Sequence, residues 1–213
     1  MKSKFKDLCE SILNEETKPT QEMKDWFKER TDKHIESVQK NWRSLYDTKF
    51  QKYLNELDDP EEHILKHDAS KYKNPELDGY IFITWKYKQE AEGKKYDIPD
   101  DMKQKATDVT NIHVFGNSHH PVYWDDSKTP EDNVINDKDR DKAVEGESVD
   151  ATSMPNWAIV EMMCDHFAVS QERGTSLRKW EDDNIGTRWK FNKKQTKLIY
   201  DLVDFFENKN EKI

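Results

Sequence analysis

Apolar side chains in this chain recur every three or four residues and almost never alternate. Trp26, Phe27, Ile35, Val38, Trp42 and Leu45 follow that spacing, and so do Ile159, Val160, Met162, Met163, Phe167 and Val169. A period near 3.6 gathers such residues on one face of a helix, which must be covered by another helix. A half-buried strand needs period two, and Tyr80 to Thr84 is the only β-like run. The expected fold is therefore all-α, with amphipathic helices packed as a bundle-like core.

Residues 1–20 read as an N-terminal extension, with a short helix through Phe5, Leu8, Ile12 and Leu13. Thr20 ahead of Gln21-Glu22-Met23 signals the start of a long helix, with room for a break, that ends near Asp58-Asp59-Pro60. Pro60 opens the next helix, to about Lys71, and Asn74-Pro75-Glu76 opens another through Trp85. Asp100-Asp101 precede a helix from Met102 to about Phe115, and Met154-Pro155-Asn156-Trp157 lead into one that stops near Gly174. A short segment around Leu177 and Trp180 and a last helix through Leu198 to Phe206 complete the pattern. Residues 117–153 form a long polar loop, and 207–213 a polar tail. A connection that long is functional or mobile. The 213 residues suit a single domain, 1–213, with a real core.

The net charge of −9 is opposite to that of a general duplex-binding protein, so no duplex nucleic acid partner is expected. No stretch approaches the ~20 apolar residues of a membrane span. The start, Met1 to Leu8, lacks the apolar region of a secretory leader. With only Cys9 and Cys164, a disulfide framework is not expected. These features predict a cytoplasmic protein without a membrane partner, in the host cytoplasm if its source is viral. The Lys/Asn/Asp-rich composition is compatible with a phage or viral source. No phosphate-binding loop, dinucleotide loop or serine elbow is present.

Chemistry concentrates in histidines and aspartates. His67-Asp68 stand side by side, followed by Ala69-Ser70-Lys71. His34 lies on the long helix, and His113 near the end of a later one. His119 and His120 lie just beyond, and Asp165 sits in the late apolar helix, four residues after Glu161. Imidazole and carboxylate together suit Mn, Fe, Co, Ni or Zn, and helix bundles build metal centres from side chains on facing helices. Lys71, about one turn from Asp68, can face the same cavity as a point charge for phosphate. Glu161, on the face of Asp165, is a candidate to orient a ligand or act as a general base. Arg173 is a further phosphate candidate. His63 with His67 is an alternative zinc pair, and a first-turn role fits Glu76.

The order His34, His67-Asp68, His113, His119-His120, Asp165 resembles the HD-domain superfamily of metal-dependent phosphohydrolases. More closely, the chain is similar to an uncharacterised HD-like family common in phage and bacterial genomes. The shared pieces are His34-Ile35-x-x-Val38, HDASK at 67–71, Asn117-Ser118-His119-His120-Pro121, and Met154-Pro155 leading to Glu161-Met162-Met163-Cys164-Asp165. The resemblance implies a helical HD bundle with His34, His67, Asp68 and Asp165 on one ion. It implies His113 and either His119 or His120 on a second, with Asp68 between. The chain departs from that family where Ile112 precedes His113, where Val122 replaces a glutamate, and in the 124–153 insert. The implied activity is hydrolysis of a small phosphorylated molecule, a nucleotide before others, by one or two divalent transition ions. Asp68, Lys71 and Glu161 would be catalytic, and Lys71 and Arg173 substrate-binding. The same ligands would serve a di-iron oxygenase, or a non-catalytic, metal-stabilised binding protein such as a viral effector.

Overall fold

The structure is a computed structural model that describes residues 17–129 and 148–210, with side chains to residue 208. The helix expected through Phe5 and Leu13, and the middle of the polar loop expected at 117–153, lie outside the described residues.

Helix α1 (Gln21–Arg43) starts where expected, because the Thr20 hydroxyl accepts the Met23 N–H at 3.3 Å. It does not run to Pro60. The Ser44 N–H closes its last turn, Asp47 takes a φ of 59°, and a short α2 (Gln51–Leu54) follows. Leu45 and Phe50 in the intervening turn are buried in the same core, so the apolar spacing runs on through the break.

Helix α3 (Pro60–Leu65) opens with proline in its first turn and the Asp59 carboxylate accepting the Glu62 N–H at 2.8 Å. It too ends earlier than its pattern predicts. Asp68 adopts a φ of 58°, and a 3-10 turn (Ala69–Tyr72) follows. A left-handed residue cannot continue an α-helix. Then come α4 (Glu76–Ala91) and α5 (Asp100–Gly116). Next is α6 (Asn156–Arg173), stopped at Gly174, whose φ is 65°. Last are α7 (Leu177–Asn184) and α8 (Lys193–Asn210). The β-like run Tyr80 to Thr84 is helical, inside α4. Two-residue strands β1 (Val149–Asp150) and β2 (Trp189–Lys190), absent from the sequence pattern, pair in parallel. They tie the return of the long loop to the α7–α8 connection. The all-α expectation holds for the described residues.

Helix α1 packs along α6 on one side and α4 on the other; α4 packs on α5, and α6 on α8. Two apolar clusters result. Phe27 of α1 joins Phe82, Met102 and Val109 in one. Val38 and Trp42 join Ile64, Met163, Leu202 and Phe206 in the other. His34 lies on α1 between its contributions to the two, so the polar site is set at their junction.

Gly79 brings α4 and α5 together: a Cβ there would lie 2.5 and 2.8 Å from the Val109 methyls and 3.2 Å from the Lys105 carbonyl. Overpacking costs about 1–3 kcal/mol, against ~1 kcal/mol gained in helix propensity. Gly79→Ala is therefore expected to destabilise by about 1 kcal/mol, lowering Tm by about 2–4 °C. A rise in Tm would contradict this close approach.

Candidate metal centre

Five segments deliver the site. His34 comes from α1 and His67-Asp68 from the turn after α3. His113 comes from the last turn of α5, and His119 and His120 from the loop beyond it. Glu161 and Asp165 come from α6. His67, Asp68, His113, His119 and Glu161 are all buried among the described residues.

Asp68 is the hub. Its Oδ2 faces His34 Nε2 at 3.5 Å, His67 Nε2 at 3.8 Å and the Lys71 ammonium. Its Oδ1 faces His113 Nε2 at 3.1 Å and His119 Nε2 at 3.7 Å. His34 Nε2 also lies 3.0 Å from Asp165 Oδ1. The strained φ at Asp68 holds that carboxylate between the two histidine sets; such outliers cost about 1–3 kcal/mol and cluster at functional sites. The 3-10 turn stacks residues three apart, which sets Lys71 directly over Asp68.

Donor atoms gather in three groups, each within 4.8 Å: His34, His67 and Asp165; His113, His119 and His120; and His67, His119 and Glu161. The first two lie toward opposite oxygens of Asp68. His119 and His120, competitors in the sequence, both reach the second group. His67 Nε2, Asp68 Oδ1, His113 Nε2 and His120 Nε2 are buried with no hydrogen-bond partner among the described residues. Buried polar atoms left so call for an explanation. These groups could hold a metal ion, and the imidazole–carboxylate donor set is of the kind that suits one. Alone, each of these atoms would be an unpaid desolvation penalty.

The opposite ring nitrogens are fixed by carboxylates. His67 Nδ1 donates to Glu161 Oε1 at 2.9 Å, and His113 Nδ1 to Glu76 Oε2 at 2.9 Å. Those contacts occupy Nδ1 and leave Nε2 of each ring as the atom that would ligate. Glu161 Oε2 pairs with His63 Nε2 at 2.7 Å, so both of its oxygens are engaged and it is placed to orient rather than to deprotonate water. Glu76 stands in the first turn of α4, as its position after Pro75 implies, and it is buried there. His63 is directed to Glu161 and is in none of the three donor groups.

Burial opposes charge throughout, yet the carboxylates stay ionised. Lys71, His67 and His113 hold Asp68 well below the usual carboxylate range. His34 and His67 do the same for Asp165, and bonds from His63 and His67 for Glu161. Burial lowers the His67 pKa, but Asp68, Glu161 and Asp165 overcome it and raise it to about 9. His119, pressed down to about 3 by burial and by His67, is neutral and ready to ligate. The pocket thus favours positive charge, and an ion bound through His67 would have to displace its proton. Metal affinity is expected to rise about tenfold per pH unit between about pH 6.5 and 9, the sign expected when a bound proton competes. A pH-independent affinity in a chelator competition titration would contradict this.

One sequence candidate, Arg173, lies elsewhere. Arg173 is exposed at the end of α6, eight residues beyond Asp165 and so about 12 Å along the helix. His166 points away from the cluster, its Nδ1 2.7 Å from Glu181 and its ring stacked on Trp189. No helix among the described residues is long and apolar enough to cross a membrane.

A family model matches residues 23–212, and the chain belongs to that family, described as a family of unknown function (DUF5662). Neither the curated proteins nor the solved structures give a match.

Proposed function

We propose that this protein is a metal-dependent phosphohydrolase acting on a small phosphorylated molecule, a nucleotide before others. The observation that carries the reading is Asp68, with its two oxygens turned to opposite histidine groups and Lys71 against it. One or two divalent transition ions held there would supply hydroxide near neutral pH and neutralise a phosphoryl oxygen.

The remaining work belongs to the chain. His34, His67 and Asp165 would hold one ion and His113, His119 and His120 another, with Asp68 beside both groups. Glu161 and Glu76 keep the ligand rings turned inward. The Lys71 ammonium lies 5.2 Å from the centre of the Tyr80 ring as well as against Asp68. It is a mobile point charge on a flexible stem, able to hold a phosphate oxygen while remaining beside the hub.

Turnover of a panel of nucleotides, cyclic nucleotides and phosphate esters with Mn, Co or Ni tests this reading. No turnover with any metal-loaded sample would sink it. Lys71→Met is expected to lower kcat/KM by about 10- to 100-fold, the worth of one charge-assisted bond, while metal content is unchanged. Loss of metal with the lysine would contradict that role.

A further inference from the structure

We infer that His63 is a positioning residue of the metal centre: it fixes Glu161, and Glu161 in turn fixes His67. The inference rests on the metal reading proposed above and assigns a role to a residue outside the ligand groups. The chain of contacts is continuous. His63 Nε2 meets Glu161 Oε2 at 2.7 Å, and Glu161 Oε1 meets His67 Nδ1 at 2.9 Å.

The His63 ring is itself held. Trp157 stands edge-on to it at 5.0 Å and Trp42 lies at 6.1 Å, so the imidazole is confined between two indoles. A carboxylate is planar, so anchoring Oε2 also fixes the direction of Oε1. Without His63, Oε2 would be a buried acceptor lacking its partner, and the carboxylate would be free to turn. A competing donor is nearby, because His119 Nδ1 lies 3.6 Å from Oε1. Glu161 turned toward His119 releases the Nδ1–H of His67, and the His67 tautomer is no longer dictated. Loss of such an outer partner typically weakens metal binding about 10- to 100-fold.

The test compares full-length parent, His63→Leu and His63→Gln. Glutamine presents an N–H donor close to where the imidazole Nε2 lies; leucine keeps bulk between the tryptophans but donates nothing. Co(II) affinity is read by visible absorption in competition with a chelator, and the His67 tautomer by ring 15N shifts of the metal-free protein above about pH 9, where the ring is neutral. His63→Leu is expected to weaken Co(II) binding by about 10-fold or more, with a mixed His67 tautomer, and His63→Gln to restore both. His63→Met repeats the apolar arm should the leucine variant not fold. Parent-like affinity and tautomer in the apolar variants would overturn the inference alone. Equal weakening in His63→Gln and the apolar variants would also overturn it, by showing that ring packing and not the hydrogen bond matters. A parent protein that takes up no Co(II) would overturn this role together with the metal reading.

Discussion

Asp68→Asn is expected to abolish metal-dependent turnover and to weaken uptake of divalent transition metal by more than about 100-fold, beyond the usual cost of losing an outer partner. One substitution reaches both donor groups because His34 and His67 face one oxygen of this carboxylate and His113 and His119 the other. Asparagine is the informative replacement. It tolerates the left-handed φ of 58° that alanine adopts only at a cost of about 1–2 kcal/mol. It also keeps the shape of the side chain while removing its charge. The variant should therefore fold, with parent-like circular dichroism, and differ in metal content. A variant that retains its metal would show that Asp68 is not the shared ligand.

Metal removal is expected to destabilise the fold. Asp68, Asp165 and Glu161 are carboxylates in a low-dielectric junction, held ionised by their neighbours against burial. An ion held there would offset that concentrated charge and would bind the folded chain only. At a free-metal concentration 100-fold above Kd, binding contributes about 2.7 kcal/mol, or about 5–11 °C in Tm for a chain of this size. Chelator should lower Tm by that amount, and adding back Mn, Co, Ni or Zn should restore it. An unchanged Tm with chelator would mean that the histidines and carboxylates satisfy one another without an ion.

The histidines and aspartates that cluster were legible because their type conflicts with their surroundings. His34 and Asp165 interrupt apolar stripes, and His67-Asp68 close one, so each stood out against a helix face that should be hydrophobic. Helix existence was legible for the same periodic reason. Helix ends were not. Leu45 and Phe50 keep the apolar spacing going through a turn, and the left-handed Asp68 has no signature in the residues around it. The orienting carboxylates were harder still. Glu76 follows a proline, where a solvated glutamate is ordinary, and its partner His113 is 37 residues away in the chain. Glu161 was visible as a neighbour of Asp165, but its bond to His63 spans 98 residues. Pairing across such distances is a property of the packed bundle, which no local spacing encodes. Arg173 is the converse case: its charge alone suggested a role, and the structure places it at the exposed end of α6.

The chemistry of turnover depends on substrate trials, but the centre itself is open to a direct test. Metal analysis of the purified protein, alongside Asp68→Asn and after incubation of both with Co(II), decides it. One or two divalent transition ions per chain in the parent, lost in the variant, is the expected result. A parent chain that carries no such ion and takes up no Co(II) would contradict a metal centre built around Asp68.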